Sequence, residues 1–101
     1  NDDEQRKRKD VVINIRIHYD ALPAAKGDTV SEALDYKTIT KQVIRYVEDN
    51  RFYLLEALVN DLLEMVMQHN PVEHAEVEID KPHALRFSDS VSLAMSASKT
   101  P

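Results

Sequence analysis

The order of apolar patterns predicts an α+β fold, an antiparallel sheet with two helices on one face. Three observations carry this. Residues Val11–Tyr19 alternate with period two, two segments between Tyr36 and Gln68 repeat apolar residues at helical spacing, and two more alternating segments follow. Strands and helices do not interleave one by one, as a doubly wound sheet requires. The 101 residues, 43% hydrophobic and 31% charged, suit one domain over 1–101.

In the first strand Val11, Ile13, Ile15, Ile17 and Tyr19 share one face, and Asn14, Arg16 and His18 share the other. Asp20 to Ser31 holds Pro23 and the chain's single glycine, Gly27, and is expected to be a loop. Asp35 is the expected N-cap of a helix over Tyr36–Glu48, with Ile39, Val43, Tyr46 and Val47 along its apolar side. Asn50 should close that helix in the left-handed conformation that asparagine tolerates. The second helix is expected over Phe52–Gln68, burying Leu55, Leu58, Leu62, Met65 and Val66, and His69-Asn70-Pro71 ends it. The next strand carries Ala75, Val77 and Ile79 on one face and stops at Lys81-Pro82, since proline has no N–H for the ladder. The last, Asp89–Ser98, sets Val91, Leu93 and Met95 against Ser90, Ser92, Ala94 and Ser96.

Each strand therefore has an oily face for the helices and a polar face for water. Several copies closing into one barrel would pair the open edges around a polar lumen. A two-layer monomer with one wet face satisfies the same pattern. A domain this small buries a modest core, which favours self-association.

Composition excludes several classes. The net charge of −5 argues against general binding to nucleic acid or acidic membranes, and Asp2, Asp3, Glu4 and Asp10 flank the cluster Arg6–Lys9. Without cysteine there is no disulfide, thiolate nucleophile or thiolate zinc site, and a cytoplasmic setting is expected. No apolar run approaches the roughly 20 residues of a membrane helix. His18, His69, His74 and His83 show no paired ligand spacing, so no metal site is expected.

Among residues able to carry chemistry, Lys81 stands out. At a strand end beside His83 and Arg86, it can bind an anion or, with its charge suppressed, move protons. Glu56, in Leu54-Leu55-Glu56-Ala57-Leu58, lies beside the buried stripe and should lose hydration unless N–H groups meet it. Adjacent N–H groups on a ligand edge would suit its carboxylate. The phenol of Tyr36 can donate, accept or relay a proton. Taken one at a time, a solvated lysine, a flank glutamate and a boundary aromatic explain these residues equally well.

The ordered set is more specific. Glu4, Leu34-Asp35-Tyr36, Leu54-Leu55-Glu56 and Lys81-Pro82 follow one another at separations that closely resemble the dihydroneopterin aldolase family and its sister branch, the dihydroneopterin triphosphate 2′-epimerases. The resemblance runs from Glu4 to about Ser96. Asp10–Asn14, Asn50-Arg51-Phe52, Ile79–Arg86 and Ser90-Val91-Ser92 lean towards the epimerases, whereas aldolases carry a shorter, glycine-containing segment after Lys-Pro. Two departures stand against the pattern: the family's further N-terminal strand and glycine turn before Glu4 are expected to be absent, and Lys9 replaces a common glutamine.

This resemblance implies a tunnel fold, a homo-oligomer of one or two tetrameric rings, and active sites between subunits. It also implies a 7,8-dihydropterin substrate with a trihydroxypropyl side chain, phosphorylated in the epimerase branch, and no cofactor. Lys81 would direct the proton transfers, with Tyr36 and Glu4 as relay or positioning groups. A free lysine titrates near 10.4, so such a base needs its pKa lowered. Glu56 and the Leu55 backbone would hold the pterin's amino-pyrimidinone edge. His83 and Arg86, and more weakly Arg51, are the candidate receptors for phosphate. The expected activity is epimerisation at C2′; the alternatives are aldolase cleavage and a non-catalytic assembly module.

Overall fold

The computed structural model describes residues 11–20, 22–27, 34–82 and 90–99. Among these residues three strands, β1 (Val12–Tyr19), β2 (Val72–Pro82) and β3 (Ser90–Ser98), form one antiparallel sheet in the order β1-β2-β3. Between β1 and β2 come three helices: α1 (Leu22–Gly27), α2 (Tyr36–Asp49) and α3 (Leu55–Met67). Helix α3 lies across β2 and β3, and α2 packs beside it.

The expected loop after β1 contains α1. Leu22 N–H donates to Asp20 Oδ1 at 3.1 Å, Pro23 stands in the first turn and Gly27 is the last residue. Proline and glycine there bracket a short helix: proline's missing N–H is harmless in a first turn, and glycine closes the end. Asp35 caps α2 as expected, its Oδ1 accepting from Thr38 N–H at 3.0 Å and its Oδ2 from Thr38 Oγ1 at 2.7 Å. Those two bonds, the hydroxyl's first, hold its carboxyl below the usual range. The cap is therefore complete above the ordinary aspartate pKa and fails as acid protonates the group.

Asn50 departs from expectation. Its backbone is extended (φ −122°, ψ 157°) rather than left-handed, and its side-chain amide donates to the Tyr46 carbonyl at 2.8 Å. A side-chain donor thus satisfies a terminal carbonyl without a positive φ. The extended backbone starts a connector, 50–54, that delays α3 to Leu55, so Phe52 precedes the helix. Helix α3 buries more than the expected stripe: Val59 and Leu63 join Leu58, Leu62 and Val66, while Leu55 and Met65 are half-buried. Packed on the sheet with α2 beside it, it buries two adjacent apolar rows, each buried side chain contributing roughly 1.5–3 kcal/mol. Tyr46 Oη donates to Asp61 Oδ2 at 2.7 Å and ties the two helices; the carboxylate raises the phenol's pKa.

Strand β2 is the sheet's centre, with Ala75, Val77 and Ile79 fully buried under α3. Its pairing with β1 ends at Asp80↔Val12, while pairing with β3 continues through Lys81↔Val91 to Pro82↔Ser90. Proline tolerates that place because the last pair needs no further ladder bond. On edge strand β3, Leu93 and Ala97 pack against the core, but Met95 stays 36% exposed.

The opposite face of the sheet is polar. Its cross-strand rows are His18–His74–Ser98, Arg16–Glu76–Ser96, Asn14–Glu78–Ala94 and Val12–Asp80–Ser92. Arg16 reaches Glu76 at 3.9 Å, an exposed pair of small energetic weight, and Ser92 donates to Asp80. His18 and His74 touch edge to face with ring centres 5.2 Å apart, and His74 Nδ1 lies 2.5 Å from Ser98 Oγ. Sequence spacing gave no sign of this pair, because the register of β1 on β2 creates it. Among the described residues, no three His, Asp or Glu side chains form a metal-binding group, and no helix is long and apolar enough to cross a membrane.

Candidate active site

Period two along β2 places Lys81 on the same face as Ala75, Val77 and Ile79. A half-buried lysine thus ends an otherwise apolar column, and it lines a cavity of about 300 Å³ between the strand end and the connector into α3. Val11, Val47, Phe52, Leu55 and Leu58 provide the apolar lining, and Glu48, Asp49 and Arg51 the polar one. An apolar slot with a few convergent charged groups is the usual chemistry of a small-molecule site, and this one is at the small end of the range.

The predicted site residues divide into three groups. Lys81 and Leu55 share the cavity, together with Arg51, the weakest of the phosphate candidates. Glu56 follows Leu55 in the first turn of α3 but is exposed, which corrects the expectation that it loses hydration within the chain. A carboxylate in that turn is favoured by the helix dipole, and no side chain caps the turn, since Leu54 stands at the N-cap. The edge formed by Leu54, Leu55 and Glu56 therefore offers free backbone donors beside an anionic acceptor. Glu4, His83 and Arg86 lie outside the described residues.

Tyr36 is elsewhere. It opens α2, is 58% exposed, and its hydroxyl lies 3.2 Å from the Tyr19 hydroxyl at the far end of β1. Tyr19 pairs with Val72, at the start of β2, and Lys81 stands near that strand's end. At roughly 3.3 Å per residue, the stretch from Val72 to Lys81 spans about 30 Å. One chain does not bring Tyr36 and Lys81 together.

Phe52, Val11 and Val47 line the cavity although none was a candidate site residue; Val11 and Val47 were expected only on the apolar faces of their strand and helix. Phe52 was expected at a helix start, whereas in the connector its half-buried ring packs on Tyr46 with centres 5.5 Å apart. The usable signal was the charged and polar run Glu48–Arg51 in front of it, which interrupts both helical stripes.

Residues 1–96 match the family described as FolB: Dihydroneopterin aldolase. The chain is 50% identical to the dihydroneopterin triphosphate 2′-epimerase of Escherichia coli K12 over 94% of its own length and 79% of the relative's. To the dihydroneopterin aldolase of the same strain it is 28% identical, over 89% and 74% of the two chains. The crystal structure of the E. coli dihydroneopterin aldolase in complex with neopterin superposes with a TM-score of 0.80 at 26% identity, covering 86% of this chain and 76% of that one. The sheet with α3 across it, the Lys81 cavity and the match over 1–96 place this chain in the dihydroneopterin aldolase family.

Proposed function

We propose that this chain is an isomerase inverting C2′ of 7,8-dihydroneopterin triphosphate to give 7,8-dihydromonapterin triphosphate. The observation that carries this is the identity to the epimerase, nearly twice that to the aldolase of the same organism. The chemistry is a reversible retro-aldol cleavage. A base takes the 2′-hydroxyl proton, the C1′–C2′ bond breaks, its electron pair forms a C=C bond between C1′ and the ring carbon, and the ring's C=N pair moves to the nitrogen, which takes up a proton. An enamine and an aldehyde result. If the aldehyde turns and re-adds through its other face, taking back the proton, C2′ is inverted. If it leaves and C1′ is protonated, the outcome is aldolase cleavage, which we assign as a side reaction. The substrate supplies its own electron sink, so the steps are written without a cofactor.

In this reading Lys81 directs the proton transfers, Tyr36 and Glu4 relay or position protons, and Glu56 with the Leu55 backbone holds the amino-pyrimidinone edge. His83, Arg86 and Arg51 receive the phosphates; the place of Arg51 beside Lys81 supports its share. A site using both Lys81 and Tyr36 needs two copies, because one sheet separates them. That separation, the position of β1 and β3 at the sheet's edges among the described residues, and the polar sheet face support a homo-oligomeric ring of four chains or two stacked rings, closed into a barrel. A triphosphate does not cross a bilayer unaided, and the cytoplasm is the setting we infer.

Chromatography of the products from dihydroneopterin triphosphate tests the function. The inverted isomer should dominate; cleaved pterin as the main product would make the chain an aldolase, and no turnover would leave an assembly module. Light scattering at micromolar concentration should give a mass of four or eight chains. A strict monomer that still turned over would refute the shared site.

A further inference from the structure

We propose that Tyr19 is a positioning residue for Tyr36, holding its phenol by a hydroxyl–hydroxyl bond so that Tyr36 works as a neutral proton donor and acceptor. This rests on the reading of Tyr36 as part of the reaction.

Tyr19 is the last residue of β1, and its alternation with Ile13, Ile15 and Ile17 turns its ring towards the helices, where it is half-buried. The register with β2 slips there: His18 pairs with His74, but Tyr19 pairs with Val72, which leaves Glu73 unmatched. A bulge of this kind re-aims the side chain at the strand end. The two hydroxyls lie 3.2 Å apart, and the rings meet edge to face with centres 6.4 Å apart and planes at 78°. One tyrosine is thus set in the core's margin while the other is mostly exposed.

Two phenols in contact share one proton between their oxygens. Either hydroxyl can be the donor, and while Tyr19 stays the acceptor, removing the Tyr36 proton costs that bond. The Tyr36 pKa is indeed raised, first by the hydrogen bond to Tyr19 and then by partial desolvation. The nearby carboxylates on both elements are engaged elsewhere: Asp20, after β1, accepts from Leu22 N–H, and Asp35, before α2, accepts from Thr38. Neither is among the causes of the shift. The Tyr19 hydroxyl is thus the first of these influences, and a phenylalanine removes it while keeping the ring.

The test compares Tyr19→Phe, Tyr36→Phe and the double variant of the full chain on dihydroneopterin triphosphate, beside tyrosinate absorbance titrations. In Tyr19→Phe, kcat should fall about 3- to 10-fold with KM unchanged, the loss of one neutral hydrogen bond. Its alkaline limb should move to lower pH, because the influence that raised the Tyr36 pKa is gone. The titration difference between Tyr19→Phe and the double variant should show Tyr36 ionising at lower pH than in the native chain, whatever the activity. Adding Tyr19→Phe to Tyr36→Phe should cost nothing more. If Tyr36→Phe is inactive but Tyr19→Phe keeps the native kcat and alkaline limb, Tyr19 does not act as proposed and the role of Tyr36 stands. If Tyr36→Phe turns over normally, the reading of Tyr36 itself is wrong and the positioning role falls with it.

Discussion

Lys81→Ala is expected to lower kcat for inversion and for cleavage together, by about 10²–10⁴-fold, the usual loss for a group that moves protons in the transition state. Both outcomes share the first C–C cleavage, so one missing proton carrier slows both. Affinity for an unphosphorylated dihydropterin should change little. Lys81 ends the apolar column of β2 and shares its cavity with Arg51, so a phosphate-binding role is its chief competitor. The two roles predict opposite damage. Arg86→Ala should weaken the triphosphate selectively and spare dihydroneopterin. Steady-state kinetics of both variants on both substrates settles the matter: a Lys81→Ala chain with native kcat and poor triphosphate affinity makes the lysine a phosphate receptor. Far-ultraviolet circular dichroism should stay native, because Lys81 is in the sheet's penultimate paired row.

The second large effect is expected at Glu56. Glu56→Gln keeps the side chain's shape but removes the charge that should meet the pterin's adjacent N–H donors. Losing a hydrogen bond to a charged group costs about 1.5–3 kcal/mol, or roughly 10- to 150-fold in affinity. Glu56 is exposed in the first turn of α3, so its replacement should hardly disturb folding. Calorimetric titration with neopterin reads the change directly, and an unchanged affinity would remove Glu56 from the site.

The strands were legible because alternation is a local signal: Ile13, Ile15 and Ile17, then Ala75, Val77 and Ile79, announce a buried face without tertiary knowledge. Asp35 was legible for the same reason, since its partner Thr38 is three residues away. Asn50 and Pro23 misled because each residue type has two uses. An asparagine can adopt a left-handed backbone or donate from its amide, and a proline can end structure or open a helix. The breadth of the α3 face was hidden because Val59 and Leu63 become necessary only when a second helix covers them. Hidden most deeply were relations across the sheet. The His18–His74 contact depends on register, and the distance between Tyr36 and Lys81 depends on which end of β2 each meets. A list of motifs in chain order carries neither.

The three carboxylates down the polar face of β2 also govern which way a substrate travels. Glu76, Glu78 and Asp80 sit on consecutive outward positions of the central strand, answered only by Arg16 among their cross-strand partners. A triphosphate approaching over that face meets a rising negative potential at every step. One approaching along the helix side meets Arg51 and Lys81, offset by Glu48 and Asp49 in the same lining. The carboxylate face should therefore repel a polyanion more than the rim where the connector meets the strand end. Added salt should weaken that repulsion, so the rate of substrate capture, more than the rate of chemistry, should carry the ionic-strength dependence.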